Sequence, residues 1–298
     1  MILPSFAKIN WTLEILGRRA DGYHELRTLL QTVSLADELS FTLNGREIEI
    51  ECDHPAVPCD ESNLVYRAAK LLADLSGIRR GVRIGIRKRI PVAAGLGGGS
   101  SNAAVTLLAL QRLWGIELAP RDQFRLGSQL GSDVPFFMIG GTCLGVGRGD
   151  EVYPLADLET EFLLLINAGI EVPTREVYAG LPVELTNPGT AAKMPLSLEA
   201  AYANLAAQGR QDGAIGAWLY NDLETTVVAR YPLLSEIKER LTRLGARGVL
   251  MSGSGSTIFA IFDSQEAREN ALNDLSETGW WCQAPRTLGR NEYRQNYR

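Results

Sequence analysis

Residues 91 to 101, Pro91-Val92-Ala93-Ala94-Gly95-Leu96-Gly97-Gly98-Gly99-Ser100-Ser101, constrain this chain more than any other segment. Before them, Val82 to Ile90 alternates apolar with basic residues, the pattern of a strand with one wet face. After them, Asn102 to Trp114 has the apolar spacing of a helix. Glycines between a strand and a helix let the backbone approach a ligand closely and adopt positive φ. The helix start adds unpaired N–H groups and the positive end of the helix dipole. Together these features make an anion site suited to phosphate. Ser100 and Ser101 read two ways, as a cap on the helix or as hydroxyls for a phosphate or Mg²⁺. A surface loop with a serine cap is the plainer alternative. The strand–loop–helix context, with four glycines and two serines, favours phosphate.

The other common phosphate and nucleophile motifs are absent. Gly-Lys occurs nowhere, which excludes a Walker A loop, and Gly95 and Gly97 are not completed to G-x-G-x-x-G. There is no His-Arg-Asp loop of a protein kinase and no G-x-S-x-G elbow. With only His24 and His54 available, a Ser-His-Asp hydrolase is poorly supported. The net charge is −5, against the basic face of a nucleic-acid-binding domain. An anionic ligand must therefore be met by a local arrangement of donors. Cys52, Cys59, Cys143 and Cys282 form no C-x-x-C pair, and Cys52, His54 and Cys59 read as a polar turn around Pro55 and Pro58. No run approaches the apolar length of a membrane span, and the N-terminus lacks a signal-peptide pattern. A reducing cytoplasm is the expected location, with no nucleic-acid or membrane partner and a monomer or homodimer as the expected state.

At roughly 150 residues per domain, 298 residues predict two α+β halves, divided here as 1–153 and 154–298. In the first half, Phe6 to Leu16 predicts a strand and Gly17 to His24 a polar connection. Thr28 to Ser34 and Glu38 to Glu51 predict strands, with Asn44-Gly45 as a hairpin turn. Helices are expected over Asn63 to Leu75 and Arg121 to Leu130, and strands around tight turns over Phe136 to Val146. In the second half, strands are expected at Phe162 to Ile166, Gly248 to Met251 and Thr257 to Phe262. Helices are expected at Thr174 to Ala179, Pro232 to Leu244 and Gln265 to Leu275. Residues 181–215 read as a variable connection ending in an Ala-rich helix.

Two further segments narrow the reading: Ser5-Phe6-Ala7-Lys8-Ile9-Asn10 near the start and Met251-Ser252-Gly253-Ser254-Gly255-Ser256-Thr257 near the end. With the central glycine loop, in this order, they make nearly the whole chain resemble the GHMP small-molecule kinases. The resemblance implies an α+β, two-domain GHMP kinase fold. Its N-terminal domain is ribosomal protein S5 domain 2-like and its C-terminal domain ferredoxin-like. The nucleotide lies between them with its phosphates under the central loop, ATP is the phosphoryl donor and Mg²⁺ accompanies it.

Gly17-Arg18-Arg19-Ala20-Asp21-Gly22-Tyr23-His24-Glu25-Leu26 is more specific. Read alone, Asp21-Gly22 is a turn. An aromatic beside a histidine also suits stacking on, and hydrogen bonding to, a flat base. Within the family, this segment resembles the branch whose acceptor is a cytidine diphosphate-linked methylerythritol. That acceptor is phosphorylated on its 2-hydroxyl in non-mevalonate (MEP) isoprenoid precursor biosynthesis. The likeness extends to Pro91 through Ala104 and to Gly131-Ser132-Asp133-Val134-Pro135-Phe136-Phe137. A GHMP kinase for mevalonate, homoserine or a sugar would account for the three shared motifs but not for Asp21-Gly22-Tyr23-His24. A non-catalytic nucleotide-binding member is at odds with Lys8 and Asp133. Trp11 and Arg18-Arg19 depart from the family's pattern.

The resemblance implies Asp133 as the catalytic base and Lys8 as the cation beside it. It implies ATP contacts from Pro91, Ala93, Ala94, Gly95, Leu96, Gly97, Gly98, Gly99, Ser100 and Ser101, with Asn63 and Lys88 near adenine. It implies substrate contacts from Asn10, Tyr23, His24, Asn102, Tyr178, Ser252 and Gly253. No dedicated metal ligand set is implied, and Ser101 is one candidate for Mg²⁺. Read from the residues alone, Asp133 also suits an Asx-turn or helix cap, and Lys8 a solvated face. Lys88 also suits a basic strand face, Tyr178 a packed helix residue, and 252–256 a turn between strands.

Overall fold

The computed structural model describes residues 1–160, 162–186 and 219–297. The elements are β1 (Ile2–Arg18), β2 (His24–Asn44), β3 (Ile48–Cys52), α1 (Leu64–Ser76), β4 (Gly81–Arg87), α2 (Gly98–Trp114), α3 (Pro120–Leu130), α4 (Val134–Ile139), β5 (Thr142–Gly147) and β6 (Glu151–Pro154). Then follow β7 (Leu163–Asn167), α5 (Thr174–Ala179), α6 (Val183–Thr186), β8 (Tyr220–Asn221), α7 (Asp222–Arg230), α8 (Leu233–Arg243), β9 (Gly248–Met251), β10 (Ile258–Ile261), α9 (Gln265–Leu275), β11 (Trp281–Gln283) and α10 (Arg290–Gln295). The expected Ala-rich helix within 181–215 falls largely outside the described residues. No helix among the described residues is long and apolar enough to cross a membrane.

A seven-stranded sheet runs β3-β4-β2-β1-β8, with β5 also pairing β2 and β6 pairing β5. A four-stranded antiparallel sheet runs β11-β7-β10-β9. Strand β7, Leu-Leu-Leu-Ile-Asn, is apolar on both faces because both are covered. Leu163 and Leu165 pack in an intersheet core with Ala7, Ile9, Trp11, Leu29 and Phe259. Leu164 and Ile166 pack under α7, α8 and α9. Trp11 meets Phe259 edge-on at 5.5 Å, so the bulk of this residue fills the space between the sheets.

Two expectations are corrected. Asn44-Gly45 is not a hairpin turn, because β4 takes the place beside β2, from Glu38↔Arg87 to Asn44↔Gly81. The chain leaving β2 passes this neighbour, and β3 pairs in parallel with its far side. Residues 134–139 form helix α4 instead of a strand; Pro135 suits the first helical turn, and Gly140 at φ +70° ends it. A short apolar run cannot separate buried strand from buried helix by periodicity.

The division at residue 153 is crossed by β8, which pairs in parallel with β1 of the larger sheet, and by the segment that ends the second half. Leu288, Tyr293 and Tyr297, from the last residues of the chain, pack in the core of α1, α2, α3, α4 and the larger sheet. Tyr293 donates a hydrogen bond to the Phe137 carbonyl, and Tyr297 to that of Pro4 at 2.8 Å.

Candidate active site

A cleft of about 1370 Å³ brings most of the sequence motifs to one place. Its floor is the 91–97 loop and the start of α2. The loop is stitched on both sides: Lys8 N donates to Leu96 O at 3.0 Å and Thr257 N to Ala94 O at 3.2 Å. Ser252 Oγ donates to Gly95 O at 3.1 Å. Gly95 sits at φ +78°, and a Cβ there would lie 2.1 Å from Ser252 O. Gly97, the N-cap of α2 at φ +70°, supplies no side-chain cap, and the first turn carries no acidic residue. The positive end of a 17-residue helix is therefore presented to the cleft without an internal counter-charge. The helix begins at Gly98, earlier than its apolar spacing predicts, because three Gly-Ser positions of low helix propensity form its first turn.

Alternation along β1 sends Ala7, Ile9 and Trp11 to the intersheet core and Lys8 and Asn10 to the cleft. Lys8 is only 4% exposed. Its Nζ donates to Asn10 Oδ1 at 2.5 Å and lies 3.7 Å from Asp133 Oδ2. The Asn10 amide is turned by a further donation, Nδ2 to Thr28 Oγ1 at 2.7 Å, and Thr28 donates to Thr12 O. Asp133 precedes α4 but makes no side-chain cap bond, so its carboxylate faces Lys8 instead of the helix. The Gly253 tip reaches the same point: a Cβ on it would lie 3.0 Å from Lys8 Nζ and 3.2 Å from Asn10 Oδ1.

At the other end of the cleft, the His24 and Tyr178 rings lie 5.2 Å apart at 30°. The His24 imidazole is held below its ordinary pKa by burial and then by Arg18. Its Nε2 is buried without a hydrogen-bond partner among the described residues. Burial, followed by the charge of Asp133, raises the Tyr178 phenol pKa well above normal, so it stays a neutral ring. Tyr23 is 54% exposed, and the Arg148 guanidinium lies 4.9 Å from its ring centre. Asp21 Oδ1 accepts from Tyr23 N at 3.1 Å, which confirms the turn. Arg19 is occupied by Asp21 and Glu25, whereas Arg18 lines the cleft.

Lys8, Asn10, Tyr23, His24, Asn63, Lys88, Pro91, Ala93, Ala94, Gly95, Gly97, Gly98, Gly99, Ser100, Asn102, Asp133, Tyr178 and Gly253 all line this cleft. Three expected side chains do not. Leu96 is buried in the intersheet core, and Ser101 accepts a hydrogen bond from Ser5 within the interior. Ser252 is buried and tied to Gly95. Asn63 caps α1 through Val65 N and also donates to Pro58 O. Lys88 is not a solvated face: its ammonium donates to the buried Asp37. Sequence reasoning missed Thr28, Asp37, Arg148 and Asn221. Asn221 donates to Met251 O and Gly253 O, both at 2.8 Å, and so fixes the second glycine loop. Arg148 stands among Gly145, Gly147 and Gly149, but no recognisable motif marks any of the four positions.

Residues 63–141 match the GHMP kinases N terminal domain, and residues 199–279 match GHMP kinases C terminal. A 4-diphosphocytidyl-2-C-methyl-D-erythritol kinase from Syntrophus aciditrophicus (strain SB) is 42% identical over 276 residues, spanning 93% of this chain and 95% of that protein. A crystal structure of 4-(cytidine 5'-diphospho)-2C-methyl-D-erythritol kinase superposes with TM-score 0.79 at 37% identity, covering 97% of this chain and 100% of that one. Methanococcus jannaschii mevalonate kinase, with TM-score 0.71 and 15% identity over 97% of this chain and 98% of that one, shares the fold. The chain is a phosphotransferase that belongs to the GHMP kinases, in the family of 4-diphosphocytidyl-2-C-methyl-D-erythritol kinases represented by these relatives.

Proposed function

We propose that this protein transfers the γ-phosphoryl group of ATP to the 2-hydroxyl of 4-diphosphocytidyl-2-C-methyl-D-erythritol, releasing ADP and the 2-phosphate. The observation that carries the reading is one cleft with a phosphate-type helix start, a Lys8–Asp133 pair 3.7 Å apart and a Tyr–His–Tyr pocket for a flat base. Phosphoryl transfer demands positioning and charge stabilisation more than covalent chemistry. The uncapped start of α2 and the surrounding backbone hold the phosphates. Asp133 orients the acceptor hydroxyl and takes its proton as the O–P bond forms. Lys8, fixed by Asn10 and 3.7 Å from Asp133, stabilises charge on the transferring group. Tyr23, His24 and Tyr178 grip the cytosine.

Among the described residues, no group of three or more His, Cys, Asp or Glu stands ready for a metal. Ser100, which lines the cleft in the first turn of α2, is the hydroxyl that would neighbour a Mg²⁺ carried in on the nucleotide. The ion supplies neutralisation of phosphate charge. The phosphates' place at α2 and the proton's place at Asp133 are set by the chain.

The test is ADP release with Mg-ATP and the cytidyl acceptor, with mevalonate and homoserine run alongside. Turnover with the cytidyl acceptor is expected, falling about 10²–10⁴-fold in Asp133→Asn while ATP still binds. Turnover with another acceptor alone would discard the cytosine pocket. Near-normal rates in Asp133→Asn would remove the base assignment.

A further inference from the structure

We propose that Asp37 is a positioning residue for the nucleotide. It holds the Lys88 ammonium at the start of α2 and sets the path by which the chain enters the phosphate loop. The inference rests on the nucleotide half of the reading above and extends it to a residue outside the recognised motifs.

Asp37 lies on β2, one position before the Glu38↔Arg87 pair at which β4 ends. It is 1% exposed. Both of its oxygens are engaged by the segment that leaves β4. Oδ1 accepts from Arg89 N at 2.8 Å and from Ile90 N at 2.9 Å, and Oδ2 accepts from Lys88 Nζ. Lys88 Nζ in turn lies 3.1 Å from where a Cβ on Gly98 would stand, at the first residue of α2. The cation is thus pinned beside the turn that faces the cleft, and the same carboxylate fixes the two residues leading into Pro91.

Two physical arguments favour a functional reading over a stabilising one. A buried ion pair loses solvation, and apolar residues of similar volume often serve stability as well or better. A cation beside a helix N-terminus is also unfavourable with respect to the helix dipole. Asp37 compensates that charge while the cleft holds no anion, and keeps it in place for one that arrives. Without the carboxylate, Lys88 would move towards solvent and the Arg89–Ile90 amides would lose their acceptor, loosening the loop where phosphates bind.

The experiment is titration of MgADP into wild type, Asp37→Asn, Lys88→Met and the double variant, with KM for ATP and for the cytidyl acceptor and a thermal melt for each. In Asp37→Asn the ADP Kd and ATP KM should rise about tenfold, the scale of one lost hydrogen bond to a charged group. The acceptor KM should stay within about twofold, because the tether does not touch that end of the cleft. The double variant leaves no unpaired buried charge and should fold even if a single variant does not. It should bind ADP about as weakly as Lys88→Met, because the two residues act through one contact. Wild-type ADP affinity in a folded Asp37→Asn or in the double variant overturns the proposal. So does a lower melting temperature with both KM values unmoved, which is the mark of a purely structural pair. ADP titration needs no acceptor. A protein that binds ADP but does not phosphorylate the cytidyl substrate would sink the substrate reading and leave this test intact.

Discussion

Lys8 and Asp133 meet only because two separate segments deliver them, but each has a local reason for its state. Lys8 takes the cleft side of an alternating strand, and Asp133 stands before α4 without capping it. His24 is the residue whose chemistry depends most on its setting. Burial and Arg18 hold its imidazole pKa below the ordinary value. The unfolded chain therefore binds this proton more readily than the folded one, near an ordinary pKa of about 6.5. The His24 contribution to stability is complete above that value and is lost as pH falls through the lower folded pKa. With only two histidines in the chain, an NMR titration assigned by His54→Gln resolves it directly. A midpoint for His24 below about 6.5 is expected. A midpoint at or above that value would mean that the ring is solvated and the base pocket is built differently.

At the scale of elements, the site depends on two glycine loops that hold each other. Gly95 passes so close to Ser252 that a side chain has no room, and Ser252 bonds back to the Gly95 carbonyl. The second loop is anchored by Asn221, which ends β8, donates to two carbonyls of the loop and caps α7 through Leu223 N. Asn221→Ala should cost about 1–3 kcal/mol for stranded buried carbonyls, and the lost helix cap adds to it. It should also raise KM for the acceptor. Asn221→Asp keeps the cap and loses the two donations, so it should retain most of the KM defect. If chemical denaturation and kinetics place Asn221→Asp alongside wild type, the loop is held by other contacts.

For the molecule as a whole, the last turn of the chain completes the first core. Tyr293 is buried against Phe6 and Tyr297 and donates to Phe137 in α4, the helix that follows Asp133. Removing that ring should cost about 3–5 kcal/mol in Tyr293→Ala, as for other large aromatic truncations. Tyr293→Phe loses one hydrogen bond and should cost about 0.5–1.5 kcal/mol. Equilibrium unfolding in urea measures both. A cost below about 1 kcal/mol for the alanine variant would show that the tail merely rests on the core. By the same argument, a chain ending at residue 153 lacks part of its own core and should not fold cooperatively.

Local pattern already fixed much of this. The amphipathic helices at 64–76 and 265–275, the doubly apolar strand at 163–167 and the strand–glycine–helix motif at 81–114 are short-range features. They follow from side-chain periodicity, caps and glycine freedom over one or two turns. That Lys8, Asp133 and the Tyr23–His24 pair belong to one cleft was also legible, because their sequence neighbourhoods resemble those of a kinase family. What tertiary structure decided was long-range pairing. It inserted β4 between β2 and β3, returned Tyr293 and Tyr297 to the first core, and turned Ser101 and Ser252 inward. It also recruited Asp37, Thr28 and Asn221 as partners of motif residues. A buried polar side chain is placed by the donor or acceptor that it satisfies. When that partner lies 51 residues away, as Lys88 does from Asp37, no local pattern records it.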